Sequence, residues 1–205
     1  MISTIFKISL FLFIVISCSS EEKKEPKKME DIVPKSSSDK KIPSLKNNEL
    51  DTVLIAYFSD VKNLKIDSVI PIESKFLPDR FNPISSQKQT IYTGSDSTQF
   101  CLWKYKDSMD LKRSFYNFLD CIEQPCKSLK LLENKAISSS HIVIFKNEKN
   151  LIVIKSSQKI NMKDWLDFFE KKKISNTFEI IIEQSKNRKT NWYKSTKDKI
   201  NPLTK

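Results

Sequence analysis

The chain has a single glycine, Gly94, among its 205 residues, and a single histidine, His141. Glycine-rich phosphate loops and dinucleotide fingerprints need several glycines, because the backbone there turns sharply or lies against a phosphate. One glycine cannot build either in its usual form. Metal sites that take two histidines, including HExxH on a helix, need a second imidazole and are excluded in the same way. No cofactor and no metal is therefore expected, and many enzyme classes drop out with them.

What the chain does have is lysine. The balance of 36 basic against 25 acidic residues gives a net charge of +11. Such an excess attracts anionic partners where it clusters; spread evenly, it is a general drift of composition. Hydrophobic residues make up 39% of the chain, enough for one core, and the length suits one domain with appendages.

The N-terminus is the most specific stretch. Lys7 is followed by "ISLFLFIVIS", residues 8–17, and then Cys18. A membrane-spanning helix needs about 20 apolar residues, whereas the apolar part of a secretory signal has about 7 to 15. Residues 1–17 therefore read as a signal peptide. The residues "VISC" at 15–18 resemble the lipobox of bacterial lipoproteins, although they depart from the commonest Leu-Ala-Gly-Cys form at three positions. The resemblance, which covers only residues 1–18, implies cleavage before Cys18 and acylation of its thiol and new amino group. The implied partner is the lipid bilayer. Several buried acyl chains at about 0.8 kcal/mol per CH₂ hold a protein durably, where one chain holds it marginally. In families with the relevant sorting rule, Ser19 rather than Asp beside the cysteine implies the outer membrane, and Glu21 and Glu22 loosely resemble surface-export signals.

Residues 19–50 hold eight Lys, seven Asp or Glu and three Pro, with no aromatic residue. Such a segment buries too little apolar surface to offset its ordering entropy, so 18–50 is expected to be a lipidated cysteine and a disordered tether. As a coil it reaches roughly 30 Å.

A single α+β domain is expected over 51–185. "DTVLIAYFSDV" (51–61) fits helix or strand, and 62–98, with Pro71, Pro78 and Pro83, predicts loops and one short strand at "DSVIPIE". "QFCLWKYK" (99–106) predicts a strand. "DSMDLKRSFYNFLDCIE" (107–123) predicts a helix with Leu111, Phe115, Phe118, Leu119 and Ile122 on one face and Asp107 or Ser108 as cap. Residues 140–157 predict a hairpin joined at "NEKN". Residues 161–173 predict a second helix, capped by Asn161, with Met162, Trp165, Leu166 and Phe169 inward. Residues 176–185 predict a closing strand with Phe178, Ile180 and Ile182 inward and Glu179 and Glu183 outward. This order is that of a two-layer ferredoxin-like (split β-α-β) sandwich with an N-terminal extension. Alternation of Cys101, Trp103 and Tyr105 predicts that the second sheet face is not fully polar, and is either covered by 51–60, the favoured reading because a large bare apolar patch is uncommon on a monomer, or exposed for a partner.

With Cys18 committed to lipid, three thiols remain. "CIEQPC" suits a Cys121–Cys126 bridge; the alternative joins Cys101 to one of them, and either way one thiol is left over. A structural bridge or buried thiols is the simpler expectation than redox chemistry, because the spacing is not CxxC. His141 follows Ser138, Ser139 and Ser140, but no nucleophile elbow accompanies them. Asp164 and Asp167 lie three apart on the second helix, where capping and solvation explain them. The stretch 186–205 reads as a basic tail with seven basic residues against Asp198. Its Lys186, Arg188, Lys189, Trp192 and Tyr193 form a candidate contact for an anionic surface, nucleic acid not being expected outside the cytoplasm.

The expectation is thus a non-catalytic interaction domain on an envelope lipoprotein, facing the periplasm or the cell surface, with an unknown envelope protein or anionic surface as partner. An extracytoplasmic enzyme or thiol-redox protein, and an inhibitor or immunity-type lipoprotein, are the alternatives.

Overall fold

The computed structural model describes residues 54–55, 57–123, 125–196 and 199–204. All of them belong to one compact unit, Lys41–Lys205. The signal peptide, Cys18 and the tether expected at 1–50 lie outside the described residues.

The domain is of the α+β class, with one eight-stranded antiparallel sheet and few helices. Its strands are β1 (Ser68–Pro71), β2 (Ser85–Thr93), β3 (Asp96–Lys104), β4 (His141–Lys146), β5 (Asn150–Ser156), β6 (Phe178–Gln184), β7 (Asn191–Thr196) and β8 (Lys199–Pro202), in the spatial order β1-β2-β3-β5-β4-β6-β7-β8. Among the described residues the longer helices are α1 (Ser108–Asp120) and α2 (Met162–Lys171), and a π-helical turn at Tyr57–Val61 and a 3₁₀ turn at Leu77–Phe81 precede them in the chain.

Both helices start where the sequence places them. The Asp107 side chain accepts the Met109 N–H at 2.7 Å, and that of Asn161 accepts the Lys163 N–H at 3.2 Å, each satisfying an orphan donor of a first turn. Leu111, Phe115, Phe118 and Leu119 of α1 are buried, and Ile122 beyond the helix packs in partly. In α2 Trp165, Phe168 and Phe169 are buried, with Met162 and Leu166 partly so.

The sheet order departs from the ferredoxin-like expectation. In that fold the closing strand pairs with the first strand of the motif. Here the free edge of β3 is already taken by β2, whose two-residue turn holds Gly94 at φ +63°. A side chain is strained at such a φ, and a local hairpin forms at little loop-closure cost. The closing strand β6 therefore pairs with β4. One consequence is topological. α1 carries the chain from β3 to the parallel β4 across β5, and α2 carries it from antiparallel β5 to β6 across β4. Two crossovers of the same hand that step the same way from antiparallel strands fall on opposite faces of the sheet. That is what is observed. α2 and the side chains of Leu54, Tyr57 and Phe58 pack on the face of Phe100, Leu102, Val143, Phe145, Ile152 and Ile154. α1 packs on the face of Cys101, Trp103, Ile142, Ile144 and Val153. The Cys101 face is thus covered by α1, and the N-terminal segment covers the other.

Because both faces are covered, the central strands carry no polar alternation: in β4 only His141 is not fully buried. In β6 the expected inward set changes. A bulge between Phe178 and Ile181 puts these two, three residues apart, into the same core, while Ile182 faces the other. Glu179 is exposed and pairs with Lys146, whereas Glu183 is half-buried.

The domain also runs past 185. β7 and β8 extend the sheet through the expected basic tail, and Trp192 is buried in the α1-side core with its Nε1 donating to the Glu133 carbonyl at 2.7 Å. Both edge strands have four residues and a proline, Pro71 or Pro202, which blunts them against pairing with other chains.

Candidate functional site

One end of the sheet collects the chemistry-bearing residues. β4 begins there at His141, opposite Ser156 at the end of β5, and Ile142 pairs with Gln184 at the end of β6. Ile137 and Ser138 reach Gln184 at this end, Lys135 reaches Thr190, and Lys186 reaches His141.

On the α1 side, Gln184 organises the loop. Its Oε1 accepts the Ile137 N–H at 2.6 Å and the Ser138 N–H at 3.1 Å, and its Nε2 donates to the Ser138 carbonyl at 2.5 Å. The buried loop backbone is thereby satisfied. The Ser138 hydroxyl then donates to Glu123 Oε1 at 2.6 Å, and Lys155 Nζ donates to the same oxygen at 2.6 Å. Lys127 stands 3.9 Å from the other carboxylate oxygen. Burial alone would raise the Glu123 pKa. The hydrogen bonds from Lys155 and Ser138, with the charges of Lys155 and Lys127, outweigh it and hold the carboxyl below its ordinary value.

A pH dependence follows with a definite sign. A depressed carboxyl pKa stabilises the fold above the unfolded value near 4.5 and loses that contribution as pH falls through the folded value. Urea midpoints of wild type and Glu123→Gln should differ at pH 7 and converge toward pH 3. A difference that persists unchanged in acid would contradict the assigned ion pairs.

On the α2 side, His141 Nδ1 accepts the backbone N–H of Lys186 at 3.2 Å. Burial, then the charges of Lys186 and Lys159, hold its pKa below the ordinary histidine value. Glu183 shifts upward through burial, partly offset by Lys159. Tyr193 is raised by burial and by the charge of Glu183. Ser138 does not arm His141: it is 3% exposed and its hydroxyl is engaged by Glu123.

No family model matches the chain, and neither a curated protein nor a solved structure matches it. Its chemistry is therefore read from the geometry alone.

Of the cysteines, Cys121 and Cys126 are joined in a disulfide with Cα atoms 4.5 Å apart, clipping the turn after α1. Cys101 is a free, buried thiol. Burial pushes its pKa up to about 12, with Lys88 lowering and Asp79 raising it. A thiol so protonated and enclosed is inert at neutral pH. Alkylation at pH 8 should leave Cys101 unmodified in the native, unreduced protein, label it after denaturation, and label Cys121 and Cys126 only after reduction. Peptide mapping reads each stage. Native labelling of Cys101 would overturn the placement.

Lys186, Arg188 and Lys189 are exposed on the β6–β7 turn, so the cationic part of the expected anion contact is available. The aromatic part is not: Trp192 is 4% exposed and Tyr193 packs against the α2-side core. Asp164 and Asp167 do not act as a pair. Asp164 binds Lys62 and accepts from Asn161 Nδ2 at 2.8 Å. Asp167 lines an open cleft of about 280 Å³ between α2 and the β7–β8 hairpin, with Lys163, Leu166, Glu170 and Ile200. Among the described residues, no group of three or more His, Cys, Asp or Glu could hold a metal ion.

Glu123, Lys155, Lys159 and Gln184 were not singled out from the sequence. Gln184 interrupts an otherwise apolar strand, a faint signal of a buried polar anchor. Glu123 has one local neighbour, Lys127 four residues on, but its contacts with Ser138 and Lys155 come from distant segments, as does the action of Lys159 on His141.

Proposed function

We propose that the chain is an envelope lipoprotein, anchored in the outer membrane through acylated Cys18, whose α+β domain binds a partner without catalysing a reaction. The observation that carries this reading is the order of parts: a basic start, ten residues of "ISLFLFIVIS", Cys18, a charged linker, and then a folded domain under way at Leu54. Two features of the domain support a binding rather than a thiol-redox role. Among the described residues the one free thiol, Cys101, lies beneath α1, and the disulfide clips a short turn. Residues 186–189 offer an exposed basic rim for an anionic surface or an acidic envelope protein.

Expression of the full chain with labelled palmitate tests the anchor. Wild type should take up label and sediment with membranes, and Cys18→Ala should do neither. Label on the variant, or none on the wild type, would reject it.

A further inference from the structure

We propose that the open end of the α1-side sheet face, around Tyr92, binds a segment of a neutral polysaccharide. Strand register fixes this surface. Ser68 of β1 lies opposite Tyr92 of β2, which lies opposite Ser97 of β3. In the next row Ile70 lies opposite Thr90, and Thr90 opposite Gln99. All six share the face of Cys101, because side chains two apart on a strand point the same way. The alternate positions Ile91 and Phe100 belong to the α2-side core. α1 covers this face farther along β3, at Cys101 and Trp103. The two rows stay open: Ile70 is 50% and Tyr92 38% exposed, Ser68 and Gln99 are exposed, and Thr90 and Ser97 are half-buried.

None of the six is charged, in a chain where 30% of the residues are. The lysines beside them in the ladder are already engaged. Lys155, opposite Gln99, holds Glu123 at 2.6 Å, and Lys88, opposite Cys101, holds Asp79 at 2.9 Å. Among the described residues, nothing engages the side-chain polar groups of Ser68, Thr90, Tyr92, Ser97 or Gln99. The face thus offers hydroxyls, an amide, one flat ring and one aliphatic side chain. A phosphate or sulfate finds no free cation among them. A folded protein finds too little area. Three strands by two rows span about 10 Å by about 7 Å between Cα atoms, a small fraction of the roughly 800 Å² per partner in a stable interface. A sugar ring fits both the chemistry and the scale. Its C–H face packs on an aromatic ring, and its hydroxyls meet amide and hydroxyl groups that both donate and accept. Contact strips no charge of its hydration. β1 is the edge of the sheet, so the rows run out into solvent there and admit an internal chain segment. The site depends neither on acylation of Cys18 nor on the basic rim at 186–189.

Amide chemical shifts of the isotope-labelled full chain in phosphatidylcholine bicelles test it, with cellohexaose, maltohexaose and chitohexaose as probes. At least one should give saturable shifts centred on Thr90, Tyr92, Ser97 and Gln99, including the Gln99 side-chain amide. Tyr92→Ala should weaken that binding about tenfold. Tyr92→Phe keeps the ring and should retain it, as should Tyr116→Ala on the exposed side of α1. Raising the salt concentration should leave the affinity unchanged, because no ion pair is involved. Absence of saturable shifts with all three probes, shifts centred elsewhere, binding that survives Tyr92→Ala, or binding lost in salt would overturn the proposal.

Discussion

Trp165→Ala should cost the domain about 3–5 kcal/mol, the range for removing a large buried aromatic side chain. Trp165 is 2% exposed and sits where α2, the N-terminal segment and the sheet meet. Its ring stacks on Tyr57 with centroids 3.8 Å apart and on Phe100 at 5.8 Å, and Phe168 and Phe169 close its flanks. Leu54, Tyr57 and Phe58 lie outside the strands, so they depend on this cluster to stay on the sheet. Truncation removes the burial of the indole and leaves a cavity that three elements must collapse into. Equilibrium urea unfolding checks it. A loss below about 1 kcal/mol would mean that α2 and the N-terminal segment do not share this core.

Asp79→Ala should be comparably damaging, for a different reason. Asp79 caps the 3₁₀ turn by accepting the Phe76 N–H at 2.7 Å, receives Lys88 Nζ at 2.9 Å, and receives Trp103 Nε1 at 2.7 Å. The side chains of Lys88 and Asp79 are 13% and 7% exposed. Removing one partner of a buried ion pair costs about 3–5 kcal/mol, because the other charge stays desolvated. Lys88 would keep only the neutral Ser74 carbonyl at 2.8 Å and the face of the Phe76 ring, and the Trp103 indole N–H would lose its acceptor. The same turn is pinned to α1, since the Tyr105 hydroxyl donates to the Pro78 carbonyl at 2.9 Å and bonds Ser114 at 2.6 Å. A double-mutant cycle with Lys88→Met isolates the charge effect. The pair of substitutions should be less destabilising than Asp79→Ala alone, and strict additivity would contradict the account.

Which parts of this fold could be read in advance follows from where each signal resides. α1 and α2 each bury one stripe and carry an oxygen-bearing cap, so period and boundary are local properties of their own residues. The β4–β5 hairpin is likewise local: Asn147 Oδ1 receives the Lys149 and Asn150 N–H groups at 2.9 and 2.7 Å. β2 was hidden. Its "SSQKQTIYT" puts Gln89 into a buried position and only Ile91 fully into the core, so its composition resembles a loop. β7 and β8 were hidden by their lysines, because a strand at the rim of a sheet needs only one buried residue such as Trp192. Missing β2 cost the topology, since its place beside β3 sends β6 to the far side and α1 and α2 to opposite faces. The candidate site was legible only in part. His141, Lys186, Arg188 and Lys189 could be singled out by residue type, whereas Lys159 and Glu123 gain meaning only when distant segments converge. Cysteine spacing left two pairings open, and what separates them is the burial of Cys101 in the middle of a strand.

The mass of the N-terminal peptide, taken from protein extracted from membranes, tests the central claim most directly. A peptide that begins at Cys18 and carries a thioether-linked diacylglycerol and an amide-linked acyl chain is the predicted result. A peptide that retains residues 1–17, or an unmodified Cys18, would contradict it.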